Sequence, residues 1–158
     1  MVNSQLERLY NKFKDEQSAG VLTSGIDEAL QHYISSPTDG DVRGLEEKLI
    51  AAGRDSELYL AKQLKERATK SIMRHETSRT AQKIYTLVLD EIHTGFALTS
   101  TPLIQNDANS VVVDQSILKL VREIHASLGE NMLDLSIKDV WALVYYLGGN
   151  CHIRWDKC

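Results

Sequence analysis

A chain of 158 residues, 42% hydrophobic and 25% charged, is long enough to close one core without disulfides or a structural metal. Its net charge of −4 argues against a protein that coats nucleic acid over its whole surface, and no apolar run approaches the roughly 18–20 residues that a membrane helix needs. The opening residues, MVNSQLERLYNKFKDE, lack the apolar core of a secretory signal, so Cys151 and Cys158 are expected to be reduced thiols in the cytoplasm.

Over residues 4–16, Leu6, Leu9, Tyr10 and Phe13 recur at i, i+3, i+4 and i+7, which predicts a first helix, interrupted at Gly20. A short second helix is expected after Ser24, with Asp27 and Glu28 near its positive end and Ile26, Ala29, Leu30, Tyr33 and Ile34 as its apolar set. Residues 35–40, SSPTDG, are turn chemistry, and Pro37 disfavours helix at Ser36. A boundary there would divide residues 1–36, an N-terminal helical segment or linker, from a helical body over 37–158.

In the body, Asp41 is expected to cap a helix reaching Ala52, with Gly53 as its stop and Val42, Leu45 and Leu49 facing the core. From Ser56 to about His75 the pattern predicts the longest helix, with Leu60, Leu64, Ala68 and Ile72 as its buried ridge. At about 100° per residue, Arg67, Lys70 and Arg74 share one flank of it. A connector over 77–79 leads to a helix over 80–94, apolar nearly all round at 87–89 and so expected to be the most buried, with Gly95 ending it. Residues 96–113 are the least regular, with Pro102 and the polar run 105–110 suggesting a loop and residues 111–113 a short strand. Asp114 or Ser116 then caps a helix to Leu128, which presents Ile117, Leu120, Val121, Ile124 and Leu128 on one face and stops at Gly129. Ser136 and Asp139 open the last helix as a capping box, and Ile137, Val140, Trp141, Val144 and Leu147 form its stripe. The sum is an all-α domain: a single bundle of about six or seven helices with a short irregular C-terminal tail.

Charge is spread unevenly. Residues 62–83 carry seven basic and two acidic groups, an island in an otherwise acidic chain. Such an island is either an anion or nucleic-acid footprint, using Arg67, Lys70, Arg74, Arg79 and Lys83, or a solvated helix face. No aromatic residue interleaves it before Tyr85, and the next helix is too apolar for a recognition helix, so nucleic acid is the less favoured partner.

No catalytic constellation emerges. Cys151, His152, Asp156 and Cys158 are all metal-ligand types, but adjacent Cys and His suit one ion poorly and no second ligand pair exists, so no metal or cofactor is expected. Cys151 beside His152, with Arg154 nearby, has the makings of an activated thiol but no evident oxyanion site. Gly148-Gly149-Asn150 follows a helix rather than opening one, so it is no phosphate cradle, and the glycines are expected to supply left-handed backbone that reverses the chain. Asp90 and Glu91 fall on different helix faces, and Glu91 and His93 are not three or four residues apart, so ordinary helix surface is the reading there. The tail Asn150, His152, Arg154, Trp155 and Asp156 is dense; if extended, it puts Arg154 and Asp156 on one face and Ile153 and Trp155 on the other. That pattern suits packing either on the body or on a partner. The last helix, with Trp141, Val144 and Tyr145, carries enough apolar area for a homodimer contact or for core.

Three pieces carry a family resemblance: Gly44-Leu45-Glu46-Glu47-Lys48-Leu49, the pattern from Leu64-Lys65-Glu66 through Thr80-Ala81-Gln82-Lys83-Ile84-Tyr85, and the ending Tyr146-Leu147-Gly148-Gly149-Asn150-Cys151-His152-Ile153-Arg154-Trp155-Asp156. Over residues 42–156 the chain resembles the C-terminal domains of prokaryotic ABC three-component conflict systems, relatives of the Lamassu antiviral systems, with Gly148 standing where threonine is common. The resemblance implies a non-enzymatic helical module that joins an effector to an SMC-like ABC ATPase sensing foreign DNA, or that oligomerises the effector. The candidate partner surfaces are then Asn150, His152, Arg154, Trp155 and Asp156 in the tail, and Arg67, Lys70 and Arg74 on the basic flank.

Overall fold

Residues Ile137–Gly149 form the helix around which the others are arranged. In the computed structural model, which describes residues 4–23, 25–35, 44–131, 133–150 and 152–156, eight α-helices follow one another and no strand occurs among the described residues. They are α1 (Ser4–Ala19), α2 (Glu28–Ile34), α3 (Leu45–Ala51), α4 (Leu58–Met73), α5 (Arg79–Gly95), α6 (Thr101–Gln105), α7 (Ser110–Leu128) and α8 (Ile137–Gly149). The all-α expectation holds. No described helix is long and apolar enough to cross a membrane.

α8 packs against α3, α4, α5 and α7, and from Ala142 to Gly148 every residue is buried. A helix apolar on all sides belongs in the centre of a bundle. The sequence pattern pointed to α5 for that place; α5 instead keeps one polar face, with Lys83, Asp90 and Glu91 exposed. The predicted capping box is present. Ser136 Oγ accepts from the Asp139 backbone N–H at 3.2 Å, and Asp139 Oδ2 accepts from the Ser136 N–H at 2.9 Å.

α1 lies along α5 and α2 beside it. Leu6, Tyr10, Leu30 and Tyr33 join the same hydrophobic cluster as the cores of α4, α5 and α8. Two buried polar groups fix these helices. Tyr10 donates to the Leu128 carbonyl at 3.0 Å. Gln82, fully buried on α5, accepts from the Asp27 N–H at 2.6 Å and donates to Gly25 O at 3.2 Å and Glu76 O at 2.9 Å, fastening the start of α2. Asp27 caps α2 by accepting from the Ala29 N–H. The expected caps Ser24 and Asp41, the turn over 36–40 and Val42 lie outside the described residues.

Other expectations are corrected. α4 begins at Leu58 after a 3-10 turn over Asp55–Glu57, and α7, at 19 residues, is longer than α4 at 16. The buried ridge of α4 uses Ala61 with Leu64, Ala68 and Ile72, while Leu60 turns outward at 39% exposure. Gly95 is the last residue of α5, as expected, but it is no left-handed stop. Its φ is −63°, and the chain continues through a π turn, Phe96–Ser100, into α6 with Pro102 in the first turn. Glycine is needed there for room: a Cβ on Gly95 would sit 2.3 Å from Leu120 Cδ1 on α7. Residues 111–113 are no strand but the first turn of α7, capped by Asn109, whose side chain accepts from the Val112 N–H at 3.0 Å. The stops at Gly53 and Gly129 are as expected, each with positive φ, 72° and 62°.

Candidate functional site

The tail turns back and packs on the body. Ile153 and Trp155 are 6% and 5% exposed, Arg154 and Asp156 face the other way, and the alternation predicted for an extended segment is realised. The Arg154 guanidinium donates through Nε and Nη2 to the two oxygens of Asp156 at 3.0 and 2.8 Å, a bidentate pair with Asp156 itself buried. Trp155 stacks on Tyr145 with ring centroids 5.4 Å apart and meets the Phe96 ring edge-on at 6.1 Å. Burial of each such apolar side chain contributes about 1.5–3 kcal/mol, so Ile153 and Trp155 anchor the segment.

Gly148 and Gly149 are helical residues of α8, not a left-handed reversal; neither has positive φ. What Gly148 supplies is space. A Cβ there would lie 2.6 Å from two carbons of the Trp155 ring, so the indole rests directly on the backbone of α8.

Lys48 holds the underside of this turn. It is 1% exposed and reaches from α3 to donate to the Gly148 carbonyl at 2.9 Å and the Ile153 carbonyl at 3.1 Å. An ammonium against the last carbonyls of a helix satisfies acceptors that the helix itself leaves open and complements its negative end.

On the opposite side the tail meets α2. Asn150 Nδ2 donates to the Tyr33 carbonyl at 3.1 Å, and His152 Nε2, as the N–H tautomer, donates to the Ser35 carbonyl at 3.2 Å. Three histidines gather here. The His152 ring lies 5.3 Å from His32 and 6.1 Å from His93, with Tyr33 packed among them. Burial first, and then the charges of His32 and His93, push the His152 pKa down, outweighing the backbone hydrogen bonds at Ser35 and His32. Tyr33 donates to Asp90 Oδ1, and burial, then that carboxylate, push its phenol up. No group of three or more His, Cys, Asp or Glu among the described residues is placed to hold a metal ion. Cys151 and Cys158 lie outside the described residues.

The basic flank of α4 is partly neutralised. Arg67 Nε donates to Asp139 Oδ1 at 2.7 Å, and Lys70 pairs with Glu66 at 2.9 Å; Arg74 is exposed. Burial raises the Asp139 pKa, but the bonds from Arg67 and Ser136 outweigh it and hold the carboxyl below its usual range. Of the tail residues, Asn150, His152 and Arg154 are half-buried, while Trp155 and Asp156 are in the body. An apolar groove of about 360 Å³ also opens between the start of α4, α7 and α8, its wall including Leu60, Leu118, Ile137, Trp141 and Tyr145.

A family model described as C-terminal domain 9 of the ABC-three component (ABC-3C) systems matches residues 44–155. The chain belongs to this family. No curated protein and no solved structure matches it. The matched residues of this ABC-3C domain run from the N-cap of α3 through Trp155. They include Lys48, Gly148 and the tail up to its indole, and the groove-lining residues; α1 and α2 lie outside the match.

Sequence reasoning missed Lys48 as a structural cation. The available signal was its position: it stands between Leu45 and Leu49 on the buried face of α3, where a lysine needs a polar destination. It also missed Arg54, 5% exposed, whose Nη1 donates to both Glu57 at 3.0 Å and Asp114 at 2.7 Å. Only the pairing with Glu57, three residues on, was readable along the chain.

Proposed function

We propose that this ABC-3C domain is a non-enzymatic protein-interaction module, coupling an effector to an SMC-like ABC ATPase in the cytoplasm as part of an antiviral system related to Lamassu. The observation that carries the reading is the family match over residues 44–155. The apolar groove supports it, since binding sites form in clefts of this size lined by apolar and aromatic side chains. In this reading the accessible interface candidates are Arg67, Lys70 and Arg74 together with the outer atoms of Asn150, His152 and Arg154. Trp155 and Asp156 act by holding the tail in place.

The alternative, nucleic-acid binding through the basic flank, has less support, because Asp139 and Glu66 already engage Arg67 and Lys70. It predicts binding to short DNA or RNA that weakens steeply with salt. The test of the main reading is absolute mass by light scattering, for the chain alone and co-expressed with the ATPase of its own system. A stable larger complex is expected, and the chain alone reports any homo-oligomer. A chain that ignores both the ATPase and the effector refutes the coupling role.

A further inference from the structure

The groove between α4, α7 and α8 has a polar end that the tail does not use. Its aliphatic rim is exposed: Leu60 39%, Leu118 44% and Ile137 43%. Trp141 and Tyr145 line its wall, and Glu57 and Asp114 close one end. The Arg54 guanidinium bonds one oxygen of each carboxylate. One cation between two anions leaves this end of the groove with a net negative charge.

The two carboxylates are not equivalent. Asp114 is 52% exposed, whereas Glu57 is 28% exposed with its Oε2 enclosed, so Asp114 is the carboxylate that an incoming group can touch. The charges of Glu57 and Asp114 also reach the Tyr145 phenol, whose pKa is raised by burial first and by these carboxylates next. An apolar trough whose end carries one negative charge in excess is complementary to an apolar ridge that ends in a cation.

We propose that the groove receives an amphipathic helix of a partner protein, its aliphatic ridge packing on Leu60, Leu118, Ile137 and Trp141 and a lysine or arginine at the ridge's edge donating to the exposed Asp114 carboxylate. Helix-in-groove recognition places such anchors at i, i+3 or i+4 and i+7, which sets the spacing of the ridge. The cation supplies specificity, since an acidic residue at that place would face two carboxylates. This deepens the interaction-module reading and rests on it.

The test uses the full chain and two synthetic helical peptides with leucines at i, i+3 and i+7. One carries lysine at the ridge's edge and the other glutamate at the same place. Both tryptophans of the protein, Trp141 and Trp155, line the groove, so intrinsic fluorescence reports occupancy. The lysine peptide is expected to bind about tenfold more tightly than the glutamate peptide, as a charge-assisted bond replaces a repulsion. Asp114→Asn should remove most of that preference, and Leu118→Asp should abolish binding of both peptides while the helical circular dichroism stays unchanged. Equal affinity for the two peptides, binding that survives Leu118→Asp, or no binding of either overturns the proposal. So does a dimer of the chain alone that Leu118→Asp dissociates, because the occupant would then be a second copy. Introducing Leu118→Asp during co-expression with the ATPase separates the two readings. A complex that persists removes the groove and keeps the module; a wild-type chain that forms no complex removes the module, and the peptides still decide the groove.

Discussion

Two adjacent glycines should respond to the same substitution with opposite sign. Gly148→Ala places a methyl group 2.6 Å from the Trp155 ring, about 1 Å inside the contact distance at which carbon atoms attract. The indole cannot yield cheaply, since it is stacked on Tyr145, abuts Phe96 and is 5% exposed. Overpacking of this kind costs about 1–3 kcal/mol, against a helix-propensity gain of at most about 1 kcal/mol for Gly→Ala. The net expectation is a loss of about 1–2 kcal/mol, or about 3–6 °C in Tm for a domain of this size. Gly149→Ala meets only the flexible end of Lys65, whose Cε lies 2.5 Å from the new methyl position and can swing aside. That variant should be neutral or more stable by about 0.5–1 kcal/mol. Urea unfolding followed by tryptophan fluorescence and by far-UV circular dichroism measures both, and near-UV circular dichroism should change for Gly148→Ala alone. If Gly148→Ala matches or exceeds the wild type, the indole does not rest on the α8 backbone and the account of the tail is wrong.

Lys48→Met keeps the length and apolar stem but leaves the Gly148 and Ile153 carbonyls without this donor, and should destabilise by about 1–3 kcal/mol, with faster amide exchange over 152–156. Unchanged exchange there would show that the lysine does not hold the tail. Stability should be greatest above pH 7 and fall as pH drops below 6.5, the ordinary histidine value. Burial, with Arg74 beside His75 and with His32 and His93 beside His152, lowers the folded pKa of both rings, so below pH 6.5 the unfolded chain takes up protons that the folded chain resists. Replacing both rings by glutamine should flatten the urea midpoint between pH 7.5 and 5.5, and an unaltered slope would place the effect elsewhere. Ser136→Ala removes one half of the capping box and should cost about 1 kcal/mol in the same urea assay; a cost near zero would mean that Asp139 alone secures the helix start.

The parts of the fold legible in the sequence are those fixed by neighbours along the chain. The capping box at Ser136 and Asp139, the stripe of α1 and the positive-φ stops at Gly53 and Gly129 all depend on residues a turn or less apart. The failures come where a distant contact decides. Gly95 carries the signal of a left-handed helix stop, yet its backbone is helical and the chain runs on through a π turn; glycine stands there for the room that Leu120 of α7 takes up. Residues 111–113 are β-branched and suggest a strand, but the Asn109 cap and the burial of Val113 hold them in α7. Gly148 and Gly149 imply a reversal, whereas both are helical and Gly148 answers a need for room under Trp155. At the candidate site, the Arg154–Asp156 pair follows from period-two alternation. The gathering of His32, His93 and His152 does not, because it joins α2, α5 and the tail.

The buried lysine has a consequence for the order in which the chain can fold. The carbonyls that receive Lys48 belong to Gly148 and Ile153, a hundred or more residues downstream. Until those residues emerge, collapse of α3 onto its neighbours would take the Lys48 ammonium out of water without either carbonyl in place, at a cost that discourages it. Closure of α3 is therefore expected to wait for residues 148 and 153 rather than to precede them. A cation that looks like a defect in the finished core would in that way tie the closing of α3 to the seating of residues 148–153.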